Sequence, residues 1–157
     1  MANPDSVSQY YLDSFGNGRI AVKQATAFNT TGNATVTGIT LPLLGGGLTN
    51  ANATVGSGGV IVRRITLNNP IGNISNVIIS VTTSSDGNIS NAVVANTTLS
   101  NLTGPGTYQD LTIASPYNSS SAITGFTTQA LYVNVNTGSG NVANTATIAV
   151  YGDVVSF

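Results

Sequence analysis

Asp5, Asp13, Asp86, Asp110 and Asp153 are the only carboxylate side chains in the 157 residues. Arg19, Lys23, Arg63 and Arg64 are the only cations, and Glu, His and Cys are absent. That inventory decides most of the chemistry. Without imidazole or thiol there is no conventional triad, no cysteine nucleophile and no His- or Cys-ligated metal. Hydrolysis by paired carboxylates needs two acids held close together, one with a raised pKa, whereas these aspartates are dispersed and fall mostly at turns or strand ends. Asp86-Gly87-Asn88 sets two oxygen side chains two residues apart, as a calcium loop does. The rest of that loop, including its terminal Glu, is missing, and a tight turn accounts for the same residues. The expectation is a non-enzymatic protein with no catalytic residue, no metal and no cofactor.

The remaining polar chemistry is amide and hydroxyl. Asn-x-Ser/Thr triplets at Asn29, Asn33, Asn52, Asn73, Asn88, Asn96, Asn101 and Asn118 read as turn chemistry in a chain this rich in Asn, Ser and Thr. Thr and Asn arrays can also present hydrogen bonds to sugar or ice, with Tyr108, Tyr117, Tyr132 and Tyr151 as the available aromatics on strands and loops. The glycine-rich stretch from Gly45 to Gly59 has neither the Lys nor the following helix of a phosphate cradle, so it reads as a surface loop.

Partners are bounded by charge. The net charge is -1 and four basic residues cannot make a stripe that releases counterions, which argues against nucleic acid and against an anionic membrane surface. The polar opening Met1-Ala-Asn-Pro-Asp has no basic n-region or apolar h-region, and the apolar runs are too short for a spanning helix. Synthesis in the cytosol is expected, with action outside a cell requiring either departure as part of a particle or a leader already removed. Low charge removes the repulsion that keeps proteins apart, so self-association or docking on a larger assembly is physically easy; a trimer suits a capsid lattice.

With 41% hydrophobic and 6% charged residues the chain is set to bury one core rather than stay disordered. Residues 1–17 carry Tyr10, Tyr11 and Phe15 without strand alternation and read as an N-terminal arm. It either packs over one end of the core or docks its aromatics on a neighbour. Residues 18–157 form the domain. Arg19 to Phe28 alternates as a strand with Ile20, Val22, Gln24, Thr26 and Phe28 on one face; Ala34 to Leu44 is a second, with Pro42 marking an edge or an end.

Gly59 to Val81 holds the densest β-branched sequence and reads as two strands around a turn at Asn68-Asn69-Pro70, at the centre of a sheet. Strict alternation places Arg63 with Ile61, Ile65 and Leu67, and Arg64 with Val60, Val62 and Thr66. Each face then carries one guanidinium, which cannot neutralise. At least one must reach solvent, a carboxylate such as Asp110 or Asp153, or a partner subunit. Asn76 to Thr83, with Val77, Ile79 and Val81 inward, pairs as a hairpin with Ile89 to Leu99 across Asp86-Gly87, with Val93, Ala95, Thr97 and Leu99 in phase. After Gly104-Pro105-Gly106 comes a strand with Leu111 and Ile113. The carboxy-terminal pair is Ala130 to Asn136, with Leu131, Val133 and Val135 inward, and Thr145 to Val155. About eight strands and no convincing helix predict an all-β, single-domain antiparallel β-sandwich. A jelly-roll-like arrangement is favoured over an immunoglobulin-like one, and a β-solenoid lacks its fixed repeat.

The opening MANPDS, the strand RIAVKQATAF before an Asn/Thr/Gly turn, and the closing ALYVNVNTGSGNVANTATIAVYGDVV together resemble small virion proteins of tailed bacteriophages. The likeness is to the capsid decoration or cement proteins of marine and cyanobacterial phages. That resemblance implies a β-sandwich on the outside of a mature head that clamps neighbouring copies of the major capsid protein. On this reading Tyr10, Tyr11 and Phe15 anchor in apolar grooves while Arg19, Lys23, Arg63 or Arg64 meet acidic residues, with avidity from repetition. Rival readings are a carbohydrate- or receptor-binding module and a self-assembling fibre or surface-layer subunit.

Overall fold

Alternating aliphatics separated by Gly, Asn and Asp turns leave the chain little choice but to bury one face of each strand against another sheet. The computed structural model describes residues 18–29, 37–42, 59–114 and 130–155. Its strands are β1 (Arg19–Ala27), β2 (Thr37–Pro42), β3 (Gly59–Ile71), β4 (Ile78–Thr82), β5 (Ala92–Thr98), β6 (Tyr108–Leu111), β7 (Ala130–Thr137) and β8 (Thr145–Val155). They form two four-stranded antiparallel sheets in the orders β1-β8-β3-β6 and β2-β7-β4-β5. The fold is the expected β-sandwich.

The strand order has a simple logic. β1 pairs with β8, β2 with β7, β3 with β6 and β4 with β5. This is the pattern of one long hairpin, closed between β4 and β5, rolled so that its pairs alternate between two sheets. It is the jelly-roll order. Both β3 and β4 are inner strands of their sheets, as their β-branched density predicts.

Leu67, Ile65, Ile148, Val150 and Val62 of the first sheet face Ile79, Val81, Leu131, Val133 and Val135 of the second, all but fully buried. Phe28, Ile74, Val77, Leu99 and Leu102 close one end of this core. There the crossing segments are tied together: Ser139 N–H donates to Phe28 O at 2.8 Å, Phe28 N–H to Asn144 O at 3.3 Å, and Ile74 N–H to Leu102 O at 3.0 Å. Asn144 Nδ2 adds a bond to Asn73 O at 3.0 Å. Gly72, at φ +80°, passes so close to Asn144 that a Cβ would stand 2.1 Å from its Oδ1.

Several expectations are corrected by this topology. Asn68-Asn69-Pro70 is not a turn between two paired strands; β3 runs on to Ile71 with a register shift after Asn68, Asn69 taking φ 49°. The chain then crosses to the other sheet, because a rolled hairpin sends each successive strand across the sandwich except at its closed end. For the same reason β7 and β8 do not pair with each other. The β4–β5 hairpin is found, but Ile89–Asn91 is a 3₁₀ turn and the returning strand starts at Ala92. Register shifts in that ladder bury Val93 and Val94 together and expose Ala95. In β1, shifts at Ile20 and between Lys23 and Thr26 turn Ala21 inward and leave Val22 and Gln24 exposed. Pro42 ends β2, an edge strand, where its missing N–H costs the ladder nothing.

Candidate functional site

The two arginines of β3 are reconciled by a β-bulge. Val62 is opposite Gly152 and Arg64 is opposite Tyr151, so Arg63 is an extra residue with no counterpart on β8. The bulge resets the alternation: Val62 and Ile65 both enter the core, Arg63 is exposed and Arg64 faces outward. A regular strand would have driven one guanidinium inside.

From there the outer face of the first sheet is built in rows. Arg19, Tyr151 and Arg64 lie in register across β1, β8 and β3. The next row is Val22, Ala149, Thr66 and Asp110, and the one after it holds Thr147, Asn68 and Tyr108. The middle of the second row is small: Ala149 and Thr66 are buried between taller neighbours although they point away from the core. The outcome is an open depression of about 520 Å³ lined by Arg64, Thr66, Asn68, Asn69, Gly106, Thr107, Tyr108 and Tyr151.

Its polar centre is organised by Asp110. Arg64 donates from Nε to Oδ1 and from Nη2 to Oδ2, both at 2.9 Å, a planar two-pronged pair. Thr66 Oγ1 donates to Asp110 Oδ1 as well. Of the carboxylates the sequence offered to the arginines, Asp110 pairs with Arg64. Tyr108, 61% exposed, stands at the rim. β6 is delivered to this place by a tight turn at Gly104-Pro105-Gly106-Thr107, where Thr107 N–H and Oγ1 both donate to Gly104 O. Gly106 takes φ +83°, as the third residue of such a turn requires. Behind the strand, buried Gln109 donates to Thr98 O and accepts from Asn101 N–H, clamping β6 to the preceding loop.

The second sheet differs in kind. Among the described residues, β2, β4, β5 and β7 contain no charged side chain; Arg19, Lys23, Arg63, Arg64, Asp110 and Asp153 all belong to β1, β3, β6 and β8. On β4, β5 and β7 the side chains opposite the core include an amide and hydroxyl network, in which Ser80, Thr82 and Asn134 are buried while Asn96 and Asn136 are exposed. Asn134 Nδ2 donates to Thr82 Oγ1 at 2.9 Å, Thr82 Oγ1 to Ser84 O at 2.8 Å, and Asn136 Nδ2 to Asn96 Oδ1 at 2.7 Å. Asn96 therefore serves a strand and not a turn. Asn73 and Asn88 do serve turns, their Oδ1 atoms accepting from the N–H groups of Ser75 and Ser90.

At the closed end of the hairpin, Asp86 accepts from Ser84 Oγ and from Asn88 N–H. The Ser84 hydroxyl, and then the Asn88 amide, hold its carboxyl below the usual value of 3.8. Among the described residues no three acidic side chains gather where they could hold a metal ion.

Of the residues the sequence marked for partner contacts, Arg19 and Arg64 are brought into one row, with Tyr151 between them. Lys23 is exposed on β1, in register with inward-facing Ile148, and Arg63 is exposed at the bulge. Tyr10, Tyr11 and Phe15 lie outside the described residues, as do Tyr117 and most of the glycine-rich stretch. The grouping of Tyr108, Asn68 and Tyr151 around Arg64 was missed, because it depends on register between strands far apart in sequence. Fold and surface define a jelly-roll β-sandwich with one charged and one uncharged sheet. A scan against protein-family models and searches of the curated proteins and the solved structures find no match to the chain.

Proposed function

We propose that this chain is a non-enzymatic virion structural protein, a decoration protein that binds the outer surface of a phage head and stabilises it. The observation that carries this reading is the strand order: jelly rolls are a recurrent architecture of viral capsid domains. The segregation of charge supports it. A sheet whose four strands carry no charged residue can be covered by a neighbour without desolvating an ion, which is the expensive part of burying polar surface. The charged sheet supplies the contacts that set orientation, through Arg19, Lys23 and Arg63, against acidic residues of a major capsid protein. Self-association as a trimer places three such surfaces on a lattice axis, and repetition converts weak contacts into avidity.

The test is cosedimentation of the purified chain with empty heads, together with thermal unfolding of the heads. Saturable binding that raises head stability, and that weakens when Arg63 and Lys23 are changed to Glu, is expected. A chain that stays in the supernatant at every concentration would overturn the proposal. Filaments or sheets formed without heads would overturn it in favour of a fibre or surface-layer subunit.

A further inference from the structure

We infer that the depression over β8, β3 and β6 is a binding site for a neutral oligosaccharide. Its volume of about 520 Å³ lies in the range of small-ligand sites, yet its lining is unlike that of most such sites. Arg, Thr, Asn, Tyr and Gly make it, without one aliphatic side chain. The ligand is therefore rich in hydroxyl or amide groups. It is also uncharged, since the one cation lining the site is already matched by Asp110 through both prongs. A phosphate or carboxylate ligand would gain little from a guanidinium whose charge is already offset and would lie against the Asp110 carboxylate.

Three features fit a sugar in particular. A pyranose has a C–H face and a hydroxyl edge. Tyr108, exposed at the rim, and Tyr151, half-buried across the site, offer ring faces whose negative potential attracts C–H groups. In Cα positions they stand at opposite corners of a rectangle about 10 Å across the strands and about 13 Å along them, by strand spacing and rise. That is the scale of a short chain of sugar rings and not of one ring. Between them, a hydroxyl that both donates and accepts can bridge the carboxylate and guanidinium edges of the Asp110–Arg64 pair, which the two-pronged geometry holds in place beforehand. Finally, Asn68 Oδ1 is one of two buried side-chain atoms among the described residues with no hydrogen-bond partner, and Asn68 lines this depression. An acceptor left in that state calls for a donor, and a sugar hydroxyl supplies it once the amide turns toward the opening.

The inference stands apart from capsid binding, which it neither needs nor excludes. It is tested by screening the full chain on an array of neutral glycans. The strongest hits are then titrated into ¹⁵N-labelled protein, with inorganic phosphate as the charged control. Saturable shifts confined to residues 64–69, 106–110 and 151 are expected. Tyr108→Ala, at a position exposed enough to leave the fold intact, weakens binding about tenfold, the worth of one stacked aromatic contact. Tyr108→Phe retains it. An array with no hits, shifts that map elsewhere, affinity indifferent to Tyr108→Ala, or saturable phosphate binding at these residues would each overturn the inference.

Discussion

Asp110 accepts from Arg64 twice and from Thr66 once, yet its side chain remains 44% exposed and that of Arg64 20%. Exposure of that order keeps the pair's worth small. Asp110→Ala should lower unfolding stability by about 1 kcal/mol, the upper end for exposed pairs, because the geometry is two-pronged and the Thr66 hydroxyl loses its acceptor. Urea titration reads this as a lower midpoint at unchanged slope. Asp86 makes a different prediction. Its pKa is depressed in the folded chain, so its contribution to stability is present above the unfolded value and is lost as pH falls through the folded one. Carboxyl NMR should find the Asp86 midpoint below 3.8, and Ser84→Ala should move it upward, since the Ser84 hydroxyl is the largest cause. A midpoint unmoved by that substitution would show that the Asn88 amide alone sustains the shift.

The bulge in β3 makes the sharpest claim about an element. Arg63 is the extra residue of the β3–β8 register, since Val62 and Arg64 oppose the consecutive residues Gly152 and Tyr151. Deleting Arg63 should therefore leave the register intact, and the variant should fold with a native-like amide spectrum. Deleting Arg63 and Arg64 together should turn every later side chain of β3 to the wrong face, expel Ile65 and Leu67, and abolish folding. Circular dichroism and thermal melts distinguish the two. This bulge also marks how far the strands could be read from sequence. The bounds of β8 and the inward sets of β4 and β7 followed from alternation, and Pro42 at an edge or strand end followed from its missing N–H. The bulges at Ile20, Arg63 and Val93 did not, because each adds one residue that alternation cannot see. The two adjacent arginines carried the hint: no unbroken strand can hold both in water and keep Val62 and Ile65 in the core.

For the whole molecule, alternation says which face is buried but not which strand lies alongside, so β7 and β8 read as neighbours when they occupy different sheets. The same gap hid the candidate site. Tyr108, Asn68, Arg64 and Tyr151 come from three strands, and only the registers of β3 with β6 and β8 put them on one face. The Arg64–Asp110 contact was among the options because few carboxylates exist for an arginine to meet. Since β4–β5 is, among the described strands, the one pair of sequence neighbours that share a ladder, most of their pairing must await distant segments. Refolding from urea should accordingly run on the slow, millisecond-to-second scale of non-local β proteins. Stopped-flow fluorescence of the tyrosines measures it, and a microsecond phase carrying the full amplitude would contradict the topology.

The rolled hairpin also has a meaning at the ribosome. β1, β2 and β3 leave the exit tunnel long before β8, β7 and β6, the strands they need, have been translated. Half of the aliphatic surface must wait in the open for the other half to be made, and the first segments born are the last to find shelter. In a cell producing many copies at once, the danger is that a waiting strand pairs with the late strand of another copy. Once the sheet is closed, β1 is its edge strand, and the exposed lysine at position 23 discourages that edge from adding to the edge of another copy.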